Sequence, residues 1–291
     1  MAGRPSRLGC ENRPPMLRPV EPILVVGLFR IERACLLELL TSLDPPGWVA
    51  PTVCTGWAVR DIAAHLVADD LGRLSRSRDG HVTGLRTDRA DLVSFVNAQN
   101  EAWVEAMRRI SPRILLTLLE LGGRETLEHF ETLDPLAMGG PVWWATGDDP
   151  APVWLDLARE LTERWHHQQQ IRDAVRAPSL DDPNLLRPVL ATFAHALPRT
   201  FRDVGLPEGA AIELAVVGES GRAWSIVRTG DEWLLHEGRA AAPHAAVEIG
   251  QEDFWRLVTK GIRPEVAERR ARLSGDIGMA RLMLTSVAII G

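Results

Sequence analysis

The sequence predicts an all-helical N-terminal domain followed by a smaller α+β domain, from three observations. Up to about residue 175 the long ordered stretches place apolar residues at helical spacing. The stretch RAPSLDDPNLLRP is then rich in Pro and Asp and lacks periodicity at its start, which sets a linker at 177–187. Beyond it, after one more helical stretch, short β-branched or alternating runs stand between glycine-rich turns.

In chain order, MAGRPSRLGCENRPPMLRP reads as part of a disordered tail spanning 1–22, with Met16 as an alternative start. The helical domain is set at 23–176. ILVVGLFRIERACLLELLTSL (23–43) is the first helix, stopped by the breaker DPPG. VRDIAAHLVADDLGRLSRSRDG gives the second, entered at Thr55 or Gly56, just ahead of Trp57. The third runs from about Arg89 to Ile110, with Ser111-Pro112 as a break or a new start. RILLTLLELGGRETLEHFETL continues as helix around an interruption at Gly122-Gly123. MGGPVWWATGDDPAP is a loop, and a fourth main helix covers about 152–175. The second domain is set at 188–291. After a helix at about 184–203, AAIELAVVG, RAWSIVRTG, EWLLHEG and HAAVEIG read as strands, and EDFWRLVTKG, PEVAERRA and DIGMARLMLTSV as closing helices.

Composition narrows the function classes. The chain has 291 residues, 45% of them hydrophobic and 25% charged, which is ordinary for a globular protein. Its net charge of -6 argues against nucleic acid as a partner. No apolar run approaches the ~18 residues of a membrane span. Cys10, Cys35 and Cys54 are odd in number and widely spaced, with no CxxC pair. That pattern predicts neither a disulfide framework nor a thiolate zinc site, and a reducing cytoplasm as the compartment.

The chemistry-bearing stretch is ELTERWHHQQQIRD, residues 160–173. On a helix Glu163 converges with His167 at i+4 or with His166 at i+3. Either spacing suits a metal held in a helical bundle, and spacing alone leaves the choice open. A second histidine, His65, lies among apolar residues in DIAAHLVADDL. It reads either as a core histidine bonded to a neighbouring helix or as a ligand pointing into the bundle.

Residues 51–66, PTVCTGWAVRDIAAHL, resemble the entry to the second helix of DinB-like thiol-dependent metalloenzymes, in the branch of the mycothiol-dependent maleylpyruvate isomerases. Trp57, Asp61 and His65 match that motif, and Glu163, His167, Ile171 and Arg172 match the family's second one. The C-terminal half is similar to the sterol-carrier-protein-like domain that accompanies the bundle, with LSGDIGMARLML (273–284) as its strand-helix signature. The resemblance covers roughly 23–290. It implies a DinB-like four-helix bundle with a smaller α+β sterol-carrier-like domain, and a divalent metal, usually zinc, on His65, Glu163 and His167. Two imidazoles and a carboxylate leave a free position, as in catalytic zinc sites. A thiol there, mycothiol in this family, is deprotonated by the metal and becomes a nucleophile.

The resemblance also implies an arginine of the second domain at the site; Arg263, Arg272 and Arg281 are the candidates. Trp57 and Trp144 are candidates for lining the thiol pocket, although Trp57 also reads as a helix anchor and Trp143-Trp144 as a loop pin. Where the family commonly carries an acid three residues after the ligand histidine, this chain has Gln170. His166 falls on a non-ligand position, and Asp69-Asp70 read as a solvated edge. The expected function is metal- and thiol-dependent isomerisation, or S-transfer, of a small electrophilic and anionic substrate by a cytoplasmic monomer or homodimer. The rival expectation is a non-catalytic protein that binds a small molecule or lipid in its C-terminal domain.

Overall fold

The computed structural model describes residues 17–81 and 92–289. The expectations for Cys10, Met16 and the start of the third helix at Arg89 lie outside them. Helices dominate the first part: α1 (Leu28–Ser42), α2 (Pro45–Trp48), α3 (Val59–Arg73), α4 (Leu92–Met107), α5 (Pro112–Glu131), α6 (Trp143–Thr146) and α7 (Val153–Val175). They are preceded by a two-residue strand, β1 (Arg18–Pro19). Then follow α8 (Pro183–Ala194), α9 (Leu197–Thr200), β2 (Ala211–Val217), β3 (Ala223–Thr229), β4 (Glu232–Glu237), β5 (Ala245–Gly250), α10 (Gln251–Val258), α11 (Pro264–Arg270), β6 (Arg272–Gly275) and α12 (Ile277–Met283).

Local chemistry starts these helices. Ser111 caps α5 by accepting from the Ile114 amide, with Pro112 on the first turn. Asp61, on the first turn of α3, accepts from the Ala58 amide. α3 runs on through a π-helical turn, Leu74–Arg78. At the end of α7, Arg176 takes the left-handed conformation (φ 56°), and the Ala177 amide bonds back to the Arg172 carbonyl.

α1, α3, α5 and α7 form the bundle: α1 and α3 each pack on α5 and on α7, and α4 packs on α3. The second part is a mixed six-stranded sheet of order β1-β4-β3-β2-β5-β6, antiparallel except for the β2–β5 pair. One hydrophobic cluster, with Leu36, Leu40, Ile62, Leu66, Leu115 and Leu119, fills the bundle. A larger one runs from Phe29 and Phe130 of the bundle through Leu157 and Trp165 of α7 to Ile212, Trp224 and Trp255. Helix α7 thus serves both cores, which places its polar residues at a crowded junction.

Several expectations differ in detail. Arg18–Pro19, inside the stretch expected to be a tail, pair with β4 opposite Glu237 and His236. Residues 23–27 do not join the first helix; Val25 is buried in the larger core instead. Gly122-Gly123 does not interrupt α5, which is continuous because the two glycines admit side chains from facing helices. Helix α8 begins at Pro183, inside the stretch 177–187, with Asp182 as its cap.

Candidate metal centre

Helices α3 and α7 cross so that three side chains point at one place. His65 Nε2 lies 3.1 Å from His167 Nε2, which is 3.1 Å from Glu163 Oε1; His65 Nε2 and that oxygen are 4.0 Å apart. These are the spacings of neighbouring ligands around a small cation, since bonds of about 2.0–2.1 Å in a tetrahedral site separate donors by about 3.3 Å. The two imidazoles are buried and edge-to-face, whereas the Glu163 side chain is 31% exposed, so solvent reaches the place from the carboxylate side.

The surrounding hydrogen bonds show what these atoms lack. Gln170 Oε1 lies 2.7 Å from His167 Nδ1, and an amide oxygen can only accept, so the imidazole proton sits on Nδ1. In the neutral ring, Nε2 then turns a lone pair toward a carboxylate and toward His65. His167 Nε2 and the Glu163 carboxylate are then two acceptors 3.1 Å apart, which repel unless a proton or a cation stands between them. The donor set therefore fits a divalent ion of zinc type: two imidazoles, one carboxylate and an approach left free.

The electrostatics point the same way. Burial would raise the Glu163 carboxyl, but His167 and His65 beside it, when protonated, prevail and hold it well below its usual range. For His65, burial favours the neutral ring, and the carboxylates of Asp69 and Glu163 outweigh it, raising its pKa. Asp69 is raised by burial, with Glu163 adding repulsion. Its Oδ2 lies 3.5 Å from His65 Nε2. A place with two carboxylates and two rings is one that attracts positive charge.

Other side chains frame it. The Trp57 ring lies 5.3 Å from that of His65, and its indole N–H donates to Glu101 at 2.8 Å. His65 Nδ1 is buried without a partner among the described residues, so no hydrogen bond holds the ring from that side. Cys54 Sγ is 3.3 Å from Gln170 Oε1, and burial raises its thiol pKa. His166 does not face the centre. It stacks beside His167, approaches Trp255 of α10, and is neutral because burial pushes it down to about 3.

The remaining sequence candidates stand elsewhere. Trp144 is buried in the larger core, while the neighbouring Trp143 is partly exposed under the Arg199 guanidinium. Arg281 is bonded to Glu268, Arg272 is almost fully exposed 3.9 Å from Glu248, and Arg263 stands just before α11 with no side-chain bond to its first turn. None of these arginines forms a hydrogen bond or ion pair with the three converging residues among the described contacts. The arginine of the second part that does reach α7 is Arg256, bound through both terminal nitrogens to Asp173 at 2.7 and 3.1 Å.

Asp70 is corrected outright. Expected at a solvated edge, it is fully buried and receives Arg33 Nη1 at 2.7 Å and Arg164 Nη2 at 2.9 Å. Helix α3 is enclosed by α4, α5 and α7, so the side that would face water on a peripheral helix faces other helices instead. Asp69 and Cys54 were not read as partners of the centre, and Gln170 was read as standing where the family's acid is expected, still able to accept a hydrogen bond. Asp69 is legible as i+4 from His65, and Gln170 as i+3 from His167. Cys54 lies on a loop and carries no such signal.

Residues 29–172 match the family described as the mycothiol maleylpyruvate isomerase N-terminal domain. Through that domain the chain belongs to the mycothiol maleylpyruvate isomerase family. A crystal structure of the mycothiol-dependent maleylpyruvate isomerase is similar in fold, with a TM-score of 0.51 at 14% identity over 86% of this chain and 91% of that one. A crystal structure of a histidine-to-alanine mutant of that isomerase aligns over the same shares at 13% identity, with a TM-score of 0.49. No curated protein matches the chain in sequence. Among the described residues, no helix is long and apolar enough to cross a membrane.

Proposed function

We propose that this member of the family is a metal- and thiol-dependent enzyme that isomerises a small electrophilic substrate or transfers a thiol to it. The convergence of His65, Glu163 and His167 carries this reading. In it, the three residues hold a divalent metal, most economically zinc, and mycothiol is the low-molecular-weight thiol. When bound, the metal would lower the pKa of a thiol from about 8.5 and hold it as thiolate at neutral pH.

The chain's own groups do the rest. The lone pair on His167 Nε2 is set by Gln170, and Glu163 supplies the one full negative charge among the three. Trp57 walls one side of His65. The more exposed carboxylates of Glu163 and Asp69 mark the side from which thiol and substrate enter. Addition of the sulfur to one carbon of a cis double bond turns that bond single; rotation and loss of the same sulfur restore it as trans. If the sulfur stays and the neighbouring carbon takes up a proton, the outcome is S-transfer. An anionic substrate suits a centre whose metal charge exceeds that of its single carboxylate ligand.

The rival reading, a non-catalytic binder of an apolar ligand, would need an apolar cavity in the second part. The cleft over β2, β5 and β6, about 700 Å³, is open and carries Glu213, Arg239, Glu248 and Arg272 on its walls. Ala215, Ala246, Val247 and Leu273 line it as well, so the cleft is mixed in character rather than an enclosed apolar cavity.

Metal analysis of the purified protein tests the proposal. About one divalent ion per chain is expected, falling to near zero in His65→Ala and in His167→Ala and persisting in His166→Ala. Unchanged metal in both of the first two variants would sink the reading. Turnover of maleylpyruvate should require added mycothiol, and equal rates without it would remove the thiol.

A further inference from the structure

The run HHQQQ holds an arrangement that the ligand set leaves unexplained. Gln170 touches three groups at once: its Oε1 is 2.7 Å from His167 Nδ1 and 3.3 Å from Cys54 Sγ, and its Nε2 is 3.3 Å from His166 Nε2. One turn of helix makes this possible, because Gln170 is i+3 from one histidine and i+4 from the other.

As placed, the amide aims its oxygen at His167 and Cys54 and its NH₂ group at His166. With its proton on Nδ1, the neutral His166 ring presents Nε2 as an acceptor and takes a hydrogen from the Gln170 NH₂ group. The Cys54 thiol donates to the amide oxygen, and so does His167 Nδ1–H. A flipped amide would put its NH₂ against His167 Nδ1 and its oxygen against the His166 lone pair. His167 would then move its proton to Nε2, the atom that faces His65 and Glu163. We propose that Gln170 is the positioning residue of the centre, and that His166 and Cys54 fix the amide that holds His167 in its Nδ1–H form. The second histidine of the pair thus has a task distinct from ligation: it decides which way the glutamine points.

A carboxylate at this place would hold His167 equally well, since it also accepts. It could not donate to His166, whose ring would have to move its own proton to Nε2. An apolar side chain of the same length would hold neither ring. This separates an orienting role from simple space filling.

The inference rests on reading His65, Glu163 and His167 as ligands, and its test has a part that does not. In the metal-free protein, two-bond ¹⁵N–¹H couplings report the tautomer of each histidine ring. His167 is expected as Nδ1–H in the wild type and in Gln170→Glu, and as a mixture or as Nε2–H in Gln170→Met. His166 is expected to change from Nδ1–H to Nε2–H in Gln170→Glu alone. Zinc affinity, measured by competition with a chromophoric chelator, should fall about 10- to 100-fold in Gln170→Met and be largely kept in Gln170→Glu. Circular dichroism checks that both variants fold. An unchanged His167 tautomer together with zinc affinity within about twofold of wild type in Gln170→Met would overturn the role, as would an unmoved His166 in Gln170→Glu. A wild type that binds no zinc would remove the metal reading, while the tautomers would still decide for or against Gln170.

Discussion

Asp69 and Asp70 are adjacent in α3 and meet opposite surroundings. One faces a histidine at the mouth of the centre; the other is enclosed by two guanidiniums. Helical rotation of about 100° per residue is enough to separate them. The same rotation separates His166 from His167, and spacing allowed both to reach Glu163. The position of α3 decides, because His65 meets His167 and not its neighbour. His195 shows burial acting without a charged partner. It packs against the Trp154 ring, and burial alone pushes its pKa down to about 4. The unfolded chain takes up this proton near pH 6.5, and the folded one only near 4. Protons therefore favour the unfolded state in between, and stability falls as pH drops from about 6.5 to about 4. Urea unfolding at several pH values should show a shallower decline for His195→Gln than for wild type; parallel declines would refute this.

At the scale of elements, α3 and α5 lie close because α5 offers glycine where they meet. A Cβ on Gly122 would stand 3.0 Å from Asp70 Cβ, and one on Gly123 would stand 2.8 Å from Arg33 Nη1. Asp70 cannot yield, since two arginines grip it. Gly122→Ala should therefore destabilise by about 1–3 kcal/mol through overpacking, despite the ~1 kcal/mol that alanine gains over glycine in helix propensity. Gly27 is the control, because a Cβ there meets nothing within 4 Å. Gly27→Ala should be neutral or mildly stabilising. Thermal or denaturant unfolding of the two variants gives the signs, and equal effects would show that the α3–α5 approach is looser than described. From sequence, Gly122-Gly123 read as an interruption, because glycine's weak helix propensity is local while its use here depends on a facing helix.

For the whole molecule, we propose that the helical and sheet-bearing parts divide in the irregular segment before Pro183 yet unfold together. The larger core is continuous from Phe29 and Phe130 to Trp224 and Trp255. Trp255 packs edge-on against Trp165 with centroids 5.2 Å apart, and Arg256 beside it clasps Asp173. Such an interface resembles one core rather than two touching surfaces. Calorimetry should show a single transition, and Trp255→Ala should cost about 3–5 kcal/mol while perturbing α7 next to His166. Two separated transitions in the wild type would contradict this.

Much of this was legible in the sequence, because helical and strand periods are local properties of the chain. The four long strands of the sheet, the main helices and the grouping of His65, Glu163, His166 and His167 as candidates all follow from periodicity and spacing. The short pairings of Arg18–Pro19 with β4 and of β6 with β5 do not, since two to four residues are too few to show a period and their partners are distant. Nor do the burial of Asp70, the contact of Cys54 with Gln170, or the choice of His167 over His166, which the family resemblance implied and spacing left open. Each depends on which face of one helix meets another, and that is settled by packing two cores at once around α7. The sequence by itself determined the elements and the kinds of chemistry they carry; only the tertiary structure decided which atoms meet.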